Sequence, residues 1–234
     1  MRQIVLDTET TGLHTHEGHR IIEVGCIELM NRKFTGKKFH QFINPQRKID
    51  DGALSIHGIT NQFLEDKPLF SEIAEDLLAF IRDAELIIHN AAFDVGFIDY
   101  EFALTKKSYQ PIASHCRIID TLILARQLHT GQRNNLDALC KRYGIDNSDR
   151  SLHGALLDAN LLAQVYLAMT GGQGSLFDGL QPTVTVTVEN VSKIVPNSEL
   201  QKNLLVQKAD AEELKLHEAL LEVIGNKGKC LWQE

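Results

Sequence analysis

The chain opens on a short apolar run, Ile4-Val5-Leu6, that stops at an acid, Asp7. Runs of this length between polar residues read as buried strands. Residues 21–30, which alternate in part, and residues 39–43 give two more strands. The period then changes. Over residues 71–82, Ile73, Ala74, Leu77, Leu78 and Ile81 recur at helical spacing, with Ser71 placed to cap the start. Residues 85–90 return to a strand, 94–104 to a helix and 116–120 to a strand, and helical patterns follow over 122–128, 135–143 and 155–169. Strands first, then strands alternating with helices, predict an α/β domain with a mixed central sheet flanked by helices.

The pattern breaks at Gly171-Gly172-Gln173-Gly174, which marks the end of a compact domain. The expected organisation is a body over residues 1–172, a linker over 173–180 and a C-terminal segment over 181–234. In that segment residues 183–188 alternate Thr and Val as a strand would, and residues 200–206 and 209–224 read as helices. Its apolar residues are too few for an independent core, so it is expected to order on a partner. No apolar run approaches the roughly 20 residues that span a bilayer, so no membrane role is expected. The N-terminal residues lack the layout of a signal peptide. Cys26, Cys116, Cys140 and Cys230 form no Cys-x-x-Cys pair and read as buried thiols in a reducing cytoplasm.

The net charge of −7 is at odds with a free-standing phosphate binder. Acids that hold a cation count in full towards that charge, although the bound ion inverts the local field. A second protein could also supply the grip on a polyanion.

Three clusters carry candidate chemistry. In Asp7-Thr8-Glu9 the two acids share one strand face, because side chains alternate. Close carboxylates repel unless a cation lies between them, and magnesium suits oxygen ligands. In Ile87-Ile88-His89-Asn90-Ala91-Ala92-Phe93-Asp94, a buried strand gives way to small residues and an acid at a helix start. Asp120 competes for the same role. Asp94 is preferred for its small neighbours, and Asp120 reads as a cap for the next helix. In His153-Gly154-Ala155-Leu156-Leu157-Asp158, a helix starting near Ala155 leaves His153 outside it and Asp158 within an apolar stretch, where an acid needs a partner. Four carboxylates and a histidine match two-metal phosphodiester hydrolysis, with the histidine as general base.

Asp7-Thr8-Glu9-Thr10-Thr11-Gly12, His89 to Asp94 and His153 to Asp158 resemble the three motifs of the DnaQ-like DEDDh 3′→5′ exonucleases. The spacing of His153 from Asp158 is that of the His subclass. The resemblance extends along the whole chain to the branch that proofreads for bacterial replicative DNA polymerases. It implies an RNase H-like fold and two divalent ions, Mg²⁺ or Mn²⁺. Asp7, Glu9 and Asp158 would hold the tighter ion, with Asp7 bridging to the second. Asp94 would help the second through water, and His153 would deprotonate the attacking water. Asp7, Glu9 and Asp158 would also border the substrate. Residues 55–59, with His57, are similar to the segment that flanks the 3′-terminal nucleotide. Gly52 stands where close relatives carry Glu, which leaves only a main-chain contact there.

Gln173-Gly174-Ser175-Leu176-Phe177 resembles a bacterial sliding-clamp-binding peptide, with Leu176 and Phe177 as apolar anchors and Gln173 setting register. Residues 181–234 resemble a polymerase-binding segment, with Leu214, Leu216, Leu220, Leu221, Val223 and Ile224 as the apolar surplus. Tethering would raise the local concentration of a weak exonuclease at a primer end. The expected activity is therefore removal of mismatched 3′-terminal deoxynucleotides as 5′-monophosphates. An RNA-trimming enzyme of the same family and a non-catalytic clamp–polymerase bridge are the alternatives. His14, His16 and His19 read as a solvated loop rather than a metal site. Phe63 and Phe93 read as core residues or base-stacking platforms, and Asn135 as a helix cap.

Overall fold

The computed structural model describes residues 1–148, 150, 152–171 and 210–225. The chain divides into two units, Met1–Leu180 and Gln181–Glu234.

In the first unit, strands β1 (Arg2–Thr10), β2 (Ile21–Met30) and β3 (Lys33–Phe42) form an antiparallel meander. Strands β4 (Glu85–Ile88) and β5 (Arg117–Asp120) add in parallel on the other side of β1. The order is β3-β2-β1-β4-β5. Beyond the meander come α1 (Asp51–His57), α2 (Asn61–Leu64), α3 (Phe70–Ile81), α4 (Ala91–Leu104), α5 (Thr121–Leu128), α6 (Leu136–Tyr143) and α7 (Ala155–Thr170).

Alternation along β1 assigns its two faces. Ile4 and Leu6 join Leu77, Ile81, Phe97 and Phe102 beneath α3 and α4. Val5 joins Leu139, Leu161, Leu162 and Val165 beneath α6 and α7. Each such side chain, fully buried, is worth about 1.5–3 kcal/mol relative to exposure. Asp7 and Glu9 continue the α7-facing row where the apolar residues run out.

Several elements differ from the sequence expectation. β1 and β3 are longer than their apolar runs, because the ladder with β2 carries polar positions along with it. Helix α3 starts one residue earlier than expected. The Glu72 side chain accepts from Leu69 N (2.7 Å), so Leu69 is the capping position and Ser71 lies within the first turn. Helices α1 and α2 are additional. Cys26, Cys116 and Cys140 are buried and unpaired.

In the second unit, α8 (Ala211–Gly225) is the described element. Asp210 accepts from the N–H groups of Glu212 and Glu213 (both 2.9 Å), and Glu213 accepts from Asp210 N (3.0 Å), a reciprocal cap. Leu214 and Leu216 are exposed. Residues 172–209 and 226–234, which include the 173–177 motif, the expected strand over 183–188, the helix over 200–206 and Cys230, lie outside the described residues.

Candidate active site

The parallel strands β1, β4 and β5 end on the same side of the sheet, and the chain order reverses between β1 and β4. Open α/β sheets bind ligands in the crevice at such a switch point. All five expected side chains lie there.

Asp7 and Glu9 sit at the end of β1, opposite Gly25 and Glu23 of β2, and the register slips between Glu9 and Thr10. Asp94 lies in the first turn of α4, buried, and accepts a hydrogen bond from Thr8 Oγ1 (2.7 Å). Asp120 places that turn. Its carboxylate accepts from Asn90 N (3.2 Å) and Ala91 N (3.0 Å), and also from Leu122 N (2.8 Å) and Ile123 N (3.3 Å) of α5. One acid thus caps two helices, and Asn90 takes a left-handed conformation (φ 64°) to meet it. Asp120 is a cap, and Asp94 is the acid in the crevice.

Asp158 lies in the first turn of α7, behind Gly154 at the capping position, as the sequence suggested. It is buried, and His153 Nδ1 lies 3.5 Å from its Oδ2. The His153 N–H donates to the Ile56 carbonyl (3.1 Å), which ties this loop to α1. Ligand atoms of Glu9, His153 and Asp158 lie within 4.8 Å of one another.

Burial, then the charges of Asp94, Glu9 and Asp158, hold Asp7 well above the usual carboxylate range, against a smaller opposing pull from Arg150. Burial, then Asp158 and Glu23, push Glu9 up to about 8. Burial raises Asp94 to about 7 despite the hydrogen bond from Thr8. Crowded acids that resist ionisation lower their energy most by sharing a cation. A donor set of carboxylate oxygens suits a hard divalent ion, with the imidazole beside it free to act as a base.

Two cavities meet at Thr8, Glu9 and Phe93. One, of about 260 Å³, is lined by Asp7, Asp94, Arg150, His153 and Asp158. The other, of about 410 Å³, is lined by Gly12, Leu13, Gly52, Ile56 and His57 among others. His57 is buried. Its Nδ1 accepts from Ile59 N (3.0 Å), so Nε2 carries the proton of the neutral ring, and that nitrogen has no partner among the described residues. Burial lowers its pKa, partly offset by the nearby Thr10 backbone, with a smaller lowering from His153.

A chain match decides the family. A model described as "Exonuclease" covers residues 4–166, a span that holds all five side chains. The chain belongs to this exonuclease family. Within the family it is 49% identical over 237 residues to the DNA polymerase III subunit epsilon of Escherichia coli, covering 99% of this chain and 97% of the relative. Among solved structures it is similar to Exonuclease X in complex with 5′-overhanging duplex DNA (TM-score 0.55, 25% identity, 74% of this chain and 93% of that one). Escherichia coli ExoI in a complex with single-stranded DNA shares the fold (TM-score 0.63, 21% identity, 76% of this chain and 42% of that one). The fold is RNase H-like, and the activity is that of a metal-dependent 3′→5′ exonuclease. No helix among the described residues is long and apolar enough to cross a membrane.

The crevice also holds residues that sequence reasoning missed. The Arg150 guanidinium binds both oxygens of Asp158 (2.6 Å each), Asp137 (2.6 Å) and His153 Nδ1 (3.1 Å). Thr8 donates to Asp94, and behind the crevice Glu23 and Gly25 meet the start of α7. Gly25 was detectable, because a glycine inside a strand signals a close backbone approach. His19 corrects the solvated-loop reading: it is buried against Gly12, bonds Thr11 Oγ1 (3.0 Å), and lies 3.4 Å from Asp50 and 3.5 Å from Glu17. His14 and His16 do stack outside (5.1 Å). Phe93 borders both cavities and packs on Phe97 (4.9 Å), whereas Phe63 packs on Phe42 (4.9 Å) and lines neither.

Proposed function

We propose that this chain proofreads for a bacterial replicative DNA polymerase, removing mismatched 3′-terminal nucleotides as 5′-monophosphates. The observation that carries the reading is the convergence of Asp7, Glu9, Asp94, Asp158 and His153 on one crevice. The 49% identity to a polymerase subunit over nearly the whole chain supports the assignment to replication.

Asp7, Glu9 and Asp158 would hold one divalent ion, with Asp7 shared by a second ion that Asp94 assists through water. Bound there, the ions, Mg²⁺ or Mn²⁺, would stabilise the attacking and leaving oxygens of the scissile phosphate. His153 takes the proton from the attacking water. Because Nδ1 faces Asp158, the productive tautomer carries its proton on Nδ1 and accepts the water's proton at Nε2. Arg150 cannot donate to Nδ1 in that tautomer, so it must release His153 before the transfer.

The larger cavity seats the terminal nucleotide. Leu13 and Ile56 offer exposed apolar walls for a base. The Nε2–H of His57 offers a donor to a sugar or phosphate oxygen. At Gly52 only the main chain is available. A mismatched end frays more readily than a paired one, so a crevice that accepts a single strand selects errors without reading sequence.

Residues 181–234 would bind the polymerase, with the exposed Leu214 and Leu216 of α8 among the anchors. Gln173, Leu176 and Phe177 would engage a sliding clamp. Two tethers offset the weak grip of a chain with net charge −7. A protein that works on a bacterial replication fork would act in the cytoplasm.

The test compares hydrolysis of paired DNA, frayed DNA and RNA 3′ ends, with and without EDTA, for wild type, His153→Ala and Asp7→Ala. Preference for frayed DNA, lost with EDTA and in both variants, is expected. Preference for RNA would favour a trimming enzyme. Full activity in the variants would leave a bridging protein.

A further inference from the structure

We infer that Glu23 is a positioning residue, whose carboxylate fixes the start of α7 and thereby sets Asp158 and His153 against Glu9. This rests on the proposed two-metal reading of the crevice. Glu23 is an acid the chemistry does not use, buried one strand away from an acid that it does use. It lies directly across the β1–β2 ladder from Glu9 and is 3% exposed.

Both of its oxygens are engaged. Oε1 lies 2.7 Å from His40 Nε2 on β3, and Oε2 accepts from Ala155 N at 3.1 Å. Ala155 is the first residue of α7. Its N–H has no partner within the helix, and it points along the positive end of the helix dipole, where a carboxylate is favoured. Glu23 lines neither cavity and stands outside the Glu9–His153–Asp158 cluster, so it serves the site from behind.

A second contact fixes the height of the helix. A Cβ at Gly25 would lie 2.3 Å from both Ala155 C and Leu156 N. The helix start therefore rests on bare backbone of β2, held down by Glu23 two residues away. Asp158 follows Ala155 by three residues and His153 precedes it by two, so the same anchor sets both. His40 completes the clamp from β3. Proximity to Glu23 also raises the pKa of Glu9, so this acid works against the charge balance of the site while it orders its geometry.

The experiment uses the full chain. Mn²⁺ binding is measured by calorimetry and frayed-DNA hydrolysis by kcat and KM, for wild type, Glu23→Ala, Glu23→Gln and Glu101→Gln. Glu101 pairs with Arg20 away from the crevice (2.7 Å) and serves as a control for lost buried pairing. Glu23→Ala is expected to lower kcat at least tenfold and Mn²⁺ affinity at least threefold, with KM within twofold. Glu23→Gln, which can still accept from Ala155 N, should recover most of both. Glu101→Gln should lower Tm without moving Mn²⁺ affinity. The inference is overturned if Glu23→Ala lowers only Tm, or if Gln is as damaging as Ala. A wild type that binds Mn²⁺ but hydrolyses no 3′ end would instead sink the functional reading, leaving the calorimetric comparison intact.

Discussion

Arg150 grips Asp158 through two parallel hydrogen bonds of 2.6 Å, one to each carboxylate oxygen. A divalent ion at Asp158 would draw on the same lone pairs, so the guanidinium and the ion compete. Arg150→Ala is expected to tighten Mn²⁺ binding several-fold by calorimetry. In EDTA the same variant should be destabilised by about 3–5 kcal/mol, because it leaves a buried carboxylate without its partner. Weaker ion binding would mean that Arg150 assists the metal rather than opposing it.

The raised pKa values of Glu9 (about 8) and Asp94 (about 7) make metal-free stability depend on pH. Below their ordinary values of 4.5 and 3.8, the folded and unfolded chains are both protonated and the contribution is present in full. As pH rises the unfolded chain releases these protons first, and the contribution is lost through the folded pKa values. Melting in EDTA should therefore occur at lower temperature at about pH 8 than at about pH 5, by an amount worth a few kcal/mol. An ion binds the charged acids, so the gain in Tm on adding Mg²⁺ should grow over the same range. A gain independent of pH would contradict the shifts.

Gly52 lines the larger cavity, and no atom lies within 4 Å of the Cβ it lacks. Gly52→Glu therefore fits without a clash, and an acid in the first turn of α1 is favoured by the dipole. Removing a helical glycine adds roughly 0.5–1 kcal/mol. If the new carboxylate gains one hydrogen bond to the terminal nucleotide, worth about 1 kcal/mol, KM falls about fivefold. A rise in Tm with unchanged KM would show that the side chain stays outside the nucleotide site.

Asp120→Ala removes one acceptor from four backbone N–H groups at two helix starts. A loss of about 1–2 kcal/mol per cap is expected. Freeing Asn90 and Ala91 should also loosen Asp94 and weaken binding of the second Mn²⁺ more than the first. Asp120→Asn, retaining one acceptor, should fall between the two. Equal loss at both ions would separate Asp120 from Asp94.

The crevice was legible wherever chemistry coincided with a change of period. Asp7 and Glu9 mark the end of an apolar alternation, and Gly154 marks the turn that frees His153 from α7. Arg150 could not be read this way. It lies in a stretch without periodicity, and its role depends on folding back over Asp158. Helix α1 escaped because seven residues with a glycine and mixed polarity give no apolar stripe, although Gly58, left-handed at φ 70°, ends it in the usual way. Composition hid His19, since a polar loop is read as solvated until a neighbour such as Gly12 is known to make room for a ring.

The bond from His153 N to the Ile56 carbonyl joins the proposed proton acceptor to the wall beside which a nucleobase would lie. A strand end that seats badly against Ile56 would disturb the histidine through this link. Recognition and reaction would then share one lever arm, and hydrolysis would report how well the last nucleotide lies down.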